Sequence, residues 1–112
     1  MVDRVSAEEG RRLLAKSQGT QPESLILSQC RDYLRALGWL VVRHQQGLGS
    51  FRGLSDLTAI KDGRVVWIEV KTAKGKLSVH QEAFRDAILA AGGEYAVVRC
   101  VEDVAQIARG IE

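Results

Sequence analysis

One proline and two cysteines in 112 residues leave little for the architectures that depend on either. Collagen-like and proline-rich disordered chains need far more proline. Cys30 and Cys100 stand far apart with no neighbouring pair, so neither a zinc spacing nor a disulfide scaffold is available. Long apolar runs are missing too: none approaches the roughly 20 residues that cross a bilayer, and Met1-Val2-Asp3-Arg4 does not open an apolar leader. No internal repeat or low-complexity segment is visible. The expectation is one cytoplasmic domain with reduced thiols and no membrane partner.

What is present is ordinary for a globular domain: 46% hydrophobic and 27% charged residues. A chain of this length can bury about two-thirds of its unfolded surface, which suffices for a core. The formal net charge of +2 says little as a total, but its distribution says more. Residues 41–81 carry seven basic side chains (Arg43, Arg52, Lys61, Arg64, Lys71, Lys74, Lys76) against three acids (Asp56, Asp62, Glu69), whereas residues 82–112 carry three against six. A basic window beside an acidic tail is either a solvated face or a surface for a polyanion.

The spacing predicts a short helix over 7–17, opened by Ser6 and Glu9 and closed by Gly19, as an appendage of residues 1–19. Residues 20–112 form the domain proper. A second helix has Thr20 as its cap, Pro22 in the first turn, and Leu25, Ile26, Cys30, Tyr33, Leu34 and Leu37 at helical spacing before Gly38. Cys30 on that face reads as core filler. A β-rich run over 39–44 follows, then the glycine-rich stretch Gly47 to Gly53. Leu54 to Lys61 and Arg64 to Lys71 flank Asp62-Gly63, a strong hairpin signal. Ser78 and Gln81 cap a helix that runs to Ala91, Glu94 to Arg99 is another strand, and Val101 to Ala108 a last helix. The fold class is α/β: a mixed central sheet flanked by helices, in the order α-β-β-β-α-β after the short extra helix.

Val65-Val66-Trp67-Ile68-Glu69-Val70-Lys71 is the most informative stretch. Alternation puts Val66, Ile68 and Val70 on one face, plainly core, and Trp67, Glu69 and Lys71 on the other. An acid and a lysine inside an apolar strand cost desolvation unless they pair or meet a ligand. Hairpin pairing brings Asp56 toward Glu69, and two carboxylates aimed at one point repel unless a cation lies between them. An incomplete all-oxygen donor set suits Mg²⁺ or Mn²⁺ better than zinc. The plainer alternative is a same-face Glu69–Lys71 ion pair with Asp56 as a strand-initiating residue. A divalent cation amid Lys and Arg implies a phosphodiester substrate.

Gly53-Leu54-Ser55-Asp56, Trp67-Ile68-Glu69-Val70-Lys71-Thr72 and Gly75-Lys76-Leu77-Ser78 with Gln81 resemble the signature of the VRR-NUC domain, a branch of the PD-(D/E)xK nuclease superfamily. The resemblance runs from about Glu23 to about Val104, with Ser55 where the superfamily name puts proline. It implies a restriction-endonuclease-like core and a Mg²⁺-dependent DNA endonuclease. By that resemblance Asp56, Glu69 and the backbone carbonyl of Val70 would ligate the metal. Lys71 would orient and help deprotonate the attacking water, and Gln81 would support the site. Glu23 would add an acid through a metal-bound water or a second ion. Gln81 and Glu23 also stand at capping-box spacing from Ser78 and Thr20, so each has a structural role on offer.

The Gly47–Gly53 loop lacks dinucleotide-fingerprint spacing and precedes a strand, so it reads as a basic DNA-contacting loop, with Arg52 on phosphate. Arg43, His44, Lys74 and Lys76 extend the same surface, or are solvated side chains. Trp39 and Trp67 read as packed rings. Small stand-alone members of the resembled family are similar to Holliday-junction resolvases, which implies a homodimer on four-way junctions in DNA repair, recombination or phage DNA processing, in a bacterial or phage-infected cell. The rival readings are a non-catalytic nucleic-acid-binding module on the same fold and a nicking or restriction-type nuclease.

Overall fold

The computed structural model describes residues 21–110. The appendage expected over 1–19 and the Thr20 cap lie outside the described residues. The first described helix, α1 (Glu23–Ala36), has Pro22 at its N-cap position instead of inside the first turn. The reason is local: proline needs no partner for a missing N–H, and its extended backbone leaves the Pro22 carbonyl free to accept from the amides of Leu25 and Ile26. The helix stops at Leu37 because Gly38 takes the left-handed conformation, φ 91°.

Four strands form one sheet in the order β1 (Leu40–Arg43), β2 (Leu57–Lys61), β3 (Arg64–Val70) and β4 (Glu94–Val98). The first three are antiparallel neighbours, whereas β3 and β4 run parallel, so the sheet is mixed as expected. Asp62 and Gly63 both adopt positive φ, 51° and 81°, which is what a two-residue primed hairpin turn requires. A parallel pair needs a crossover, and α2 (Val79–Ala90) supplies it. After β4 comes α3 (Val101–Arg109). The strand expected from Leu54 begins only at Leu57. Gly53, at φ 75°, turns the chain just before, and Leu54 donates its amide to Phe51.

The sheet has two unlike faces. Val41, Leu57, Ala59, Val66, Ile68, Val70 and Val98 pack with Ile26, Leu27, Cys30 and Leu34 of α1, with Trp39 and with Val104 of α3. This is the main core, where truncating Ile68 or Leu34 to alanine costs roughly 2–5 kcal/mol. Cys30 is wholly enclosed there and burial pushes its thiol up to about 12, in keeping with a packing role. The opposite face carries Thr58, Trp67, Glu69 and Tyr95 and receives Phe84 from α2. Among the described residues no helix is long and apolar enough to cross a membrane.

Candidate functional site

Strand alternation puts Glu69 on the α2 side of the sheet, where it is 1% exposed. Its Oε2 accepts a hydrogen bond from Gln81 Nε2 at 3.0 Å and lies 3.5 Å from Lys71 Nζ. Its Oε1 is buried and accepts no hydrogen bond among the described residues. A carboxylate in that position is desolvated without full compensation. Burial, joined by the charge of Asp56, pushes Glu69 up to about 7, against the opposing pull of Lys71.

Asp56 stands immediately before β2. Its Oδ2 accepts from the backbone amide of Val70 at 2.8 Å, which ties it to the residue after Glu69. Its own carbonyl accepts from the amide of His44 at 2.9 Å, fastening the end of β1 to the same place. Asp56, Arg43, His44, Gln45 and Gln46 line a cleft of about 490 Å³. Val70 thus contributes its amide to Asp56, while its carbonyl, the expected main-chain oxygen donor, belongs to the same strand terminus.

Gln81 connects the site to α2. Its Oε1 accepts from the Ser78 amide at 2.8 Å, completing the capping box with the Ser78 side chain, while its Nε2 reaches Glu69. The helix cap and a hydrogen bond to Glu69 are thus made by one side chain, as the sequence allowed. Glu23 is the exposed first residue of α1, and its charge still adds to the upward push on Glu69. Arg52 is exposed in the loop before Asp56, and Lys74 and Lys76 are exposed in the loop after Lys71.

Four contributions had no signal in sequence. Gln46 donates to the carbonyl of Leu54 at 2.8 Å and, longer, to Asp56 Oδ1 at 3.4 Å. Thr58 bonds His44, whose ring stacks on Trp67; burial holds the imidazole below its ordinary range, opposed by Asp56. Arg99 Nη1 donates to the carbonyls of Thr72 and Gly75, both at 2.7 Å, and so fixes the loop that bears Lys74. Tyr95 carries a buried hydroxyl with no hydrogen-bond partner among the described residues; burial, with the charge of Glu69, raises its pKa.

Whether a divalent cation suits these residues can be judged from the donors. Among the described residues no three His, Cys, Asp or Glu side chains form a ready cage. The donor set is two carboxylates and main-chain oxygen, with Glu23 at its margin. Glu69 Oε1, without a partner among the described residues and close enough to feel Asp56, is the hard anionic oxygen that Mg²⁺ or Mn²⁺ takes, and the cleft lined by Asp56 has volume for water.

Residues 16–99 match the family model described as archaeal Holliday junction resolvase (Hjc). A solved structure titled VRR_NUC domain superposes with a TM-score of 0.67 at 24% identity, covering 78% of this chain and 94% of that one. No curated protein matches. The restriction-endonuclease-like fold expected from the Asp56, Glu69 and Lys71 motifs is borne out, and both matches are consistent with the VRR-NUC and PD-(D/E)xK resemblance.

Proposed function

The chain belongs to the Hjc family, a nuclease family, and from that membership we propose that it is a Mg²⁺- or Mn²⁺-dependent DNA endonuclease that cuts branched DNA, four-way junctions above all. The observation that carries the reading is Glu69: enclosed to 1% exposure, one oxygen partnered and the other without a partner among the described residues, with Lys71 and Asp56 beside it. A structural ion pair alone would leave no reason for the uncompensated oxygen.

In this reading Asp56, Glu69 and the Val70 carbonyl hold the cation, with Glu23 at the edge. The bound ion supplies positive charge against the phosphoryl oxygens and acidifies water. Lys71 orients the attacking water, takes part in removing its proton and offsets charge on the phosphate. Gln81 holds the Glu69 carboxylate in its orientation through Oε2. Arg43, His44, Arg52, Lys74 and Lys76 meet the DNA backbone, a contact that positions the duplex without reading sequence. Attack in line with the departing 3′ oxygen leaves 5′-phosphate and 3′-hydroxyl ends. Symmetric cutting of a junction needs two such sites, so the working unit is a homodimer, acting on DNA in the cytoplasm.

The test is incubation of the purified protein with linear duplex, flap, supercoiled plasmid and four-way-junction DNA, in Mg²⁺, Mn²⁺ or EDTA. The expected result is metal-dependent cutting strongest on the junction and abolished in Glu69→Ala and Lys71→Ala. Cutting undiminished in both variants, or none with any substrate, would refute it.

A further inference from the structure

Phe51 lies in a stretch, residues 45–53, otherwise built of Gln, Gly, Ser, Arg and one leucine, and it is 67% exposed. Its ring is not loose. It meets Phe84 edge-on at 5.6 Å, Phe84 meets Trp67 at 5.7 Å, and Trp67 stacks on His44 at 5.6 Å. A continuous row of rings thus runs from His44 in the cleft to Phe51 at the surface. Backbone contacts hold the end of the row in place. Leu54 donates to the Phe51 carbonyl at 3.1 Å, and Gln46 grips the Leu54 carbonyl. Gly53 lies so close to the first turn of α2 that a Cβ there would collide with the His80 carbonyl.

Phosphate chemistry has no use for such a ring. Arg52 beside it and Arg43 in the cleft suit the backbone of the polyanion, whereas a fixed, exposed aromatic suits a flat, apolar partner. On DNA that partner is a nucleobase. In an intact duplex every base is paired and stacked, so the ring finds nothing to cover; at a branch, flap or mismatch a base face is available. We propose that Phe51 is a stacking platform for a base whose face is uncovered at the branch point, and that it gives the site its preference for branched over linear DNA. This rests on the nuclease reading for the identity of the substrate. Base–aromatic stacking changes affinity by roughly ten- to hundredfold per base.

The experiment measures binding in EDTA, where no cutting occurs. Four-way junctions and linear duplexes carry 2-aminopurine at the branch position or its linear equivalent, and wild type is compared with Phe51→Ala and Phe51→Trp at equal folded fraction by circular dichroism. The expected result is a change in 2-aminopurine emission with the junction and not the duplex. Phe51→Ala is expected to lose it and to reduce the junction-over-duplex affinity ratio about tenfold, and Phe51→Trp to restore both. Retention of signal and ratio in Phe51→Ala overturns the proposal, as does a wild type that leaves the probe unchanged. A fall in molar mass by light scattering on Phe51→Ala also overturns it, since the ring would then seat against a second copy. A wild type that passes this test and cuts nothing with metal refutes the nuclease reading alone.

Discussion

Gln81 holds Glu69 with one end of its amide and the first turn of its own helix with the other. The nitrogen donates to Glu69 Oε2 at 3.0 Å while the oxygen accepts from the Ser78 amide at 2.8 Å. A helix cap and a carboxylate rotamer are thereby one mechanical unit, and a substitution can separate them.

Gln81→Leu removes both contacts, and we expect a stability loss of about 1 kcal/mol and a cleavage rate lower by roughly ten- to hundredfold. Gln81→Glu keeps an acceptor for the Ser78 amide but sets a second carboxylate against Glu69. Its thermal midpoint should stay near wild type while its single-turnover rate falls as far. A wild-type rate in Gln81→Glu would remove Gln81 from the site.

Glu69 makes metal-free stability depend on pH. Its folded pKa, about 7, lies above the ordinary carboxyl value of 4.5, so between the two the folded state holds a proton that the unfolded state gives up. The contribution of Glu69 to stability is greatest below about 4.5, declines as pH rises toward about 7, and is level above it. The decline should be on the order of 3 kcal/mol. Urea unfolding in EDTA across that range checks this, and Glu69→Gln should flatten the slope.

Gly53→Ala tests the docking of the glycine-rich loop on α2. Positive φ and the His80 carbonyl both oppose a side chain there, so the loop must shift or the helix start must give. We expect a loss of about 2 kcal/mol or more and severe loss of cutting. Gly49→Ala, also at positive φ but with open space around it, should cost only about 1 kcal/mol. Equal effects at the two positions would show that strain, and not the contact with α2, is what matters.

Arg99 should act on DNA without touching it. Releasing the Thr72 and Gly75 carbonyls in Arg99→Ala frees the loop that carries Lys74 and Lys76, and we expect Kd to rise about tenfold with a smaller effect on kcat. Titration against a labelled junction measures it; a Kd within about twofold of wild type would leave the clamp without consequence for binding.

Much of this was legible because it is local. The Ser78–Gln81 box, the Asp62-Gly63 turn and the alternation through Trp67, Glu69 and Lys71 depend on neighbours a few residues apart, and each is found as expected. Asp56 was legible as a residue but not in its manner of attachment, since its closest partner is the main-chain amide of Val70, which has no residue-specific signature. Gln46 and Arg99 were silent for a related reason. Each bonds to carbonyls, which every residue possesses, across a loop or between strand and loop. Tyr95 looked like any strand aromatic, and only the fold shows its hydroxyl enclosed.

The parallel pairing of β3 with β4 bears on the order in which the chain is made. Asp56, Glu69, Lys71 and Gln81 occur in one continuous stretch, so the groups proposed to do the chemistry leave the ribosome together. The Lys71 amide, however, is held by the Val98 carbonyl at 2.9 Å, and the loop that follows waits for Arg99. A nascent chain that stops short of β4 has every reactive group and no fixed place for the lysine. Synthesis through β4 is then the step that fixes the lysine, and a product that stops before β4 should lack the cutting proposed for the full domain.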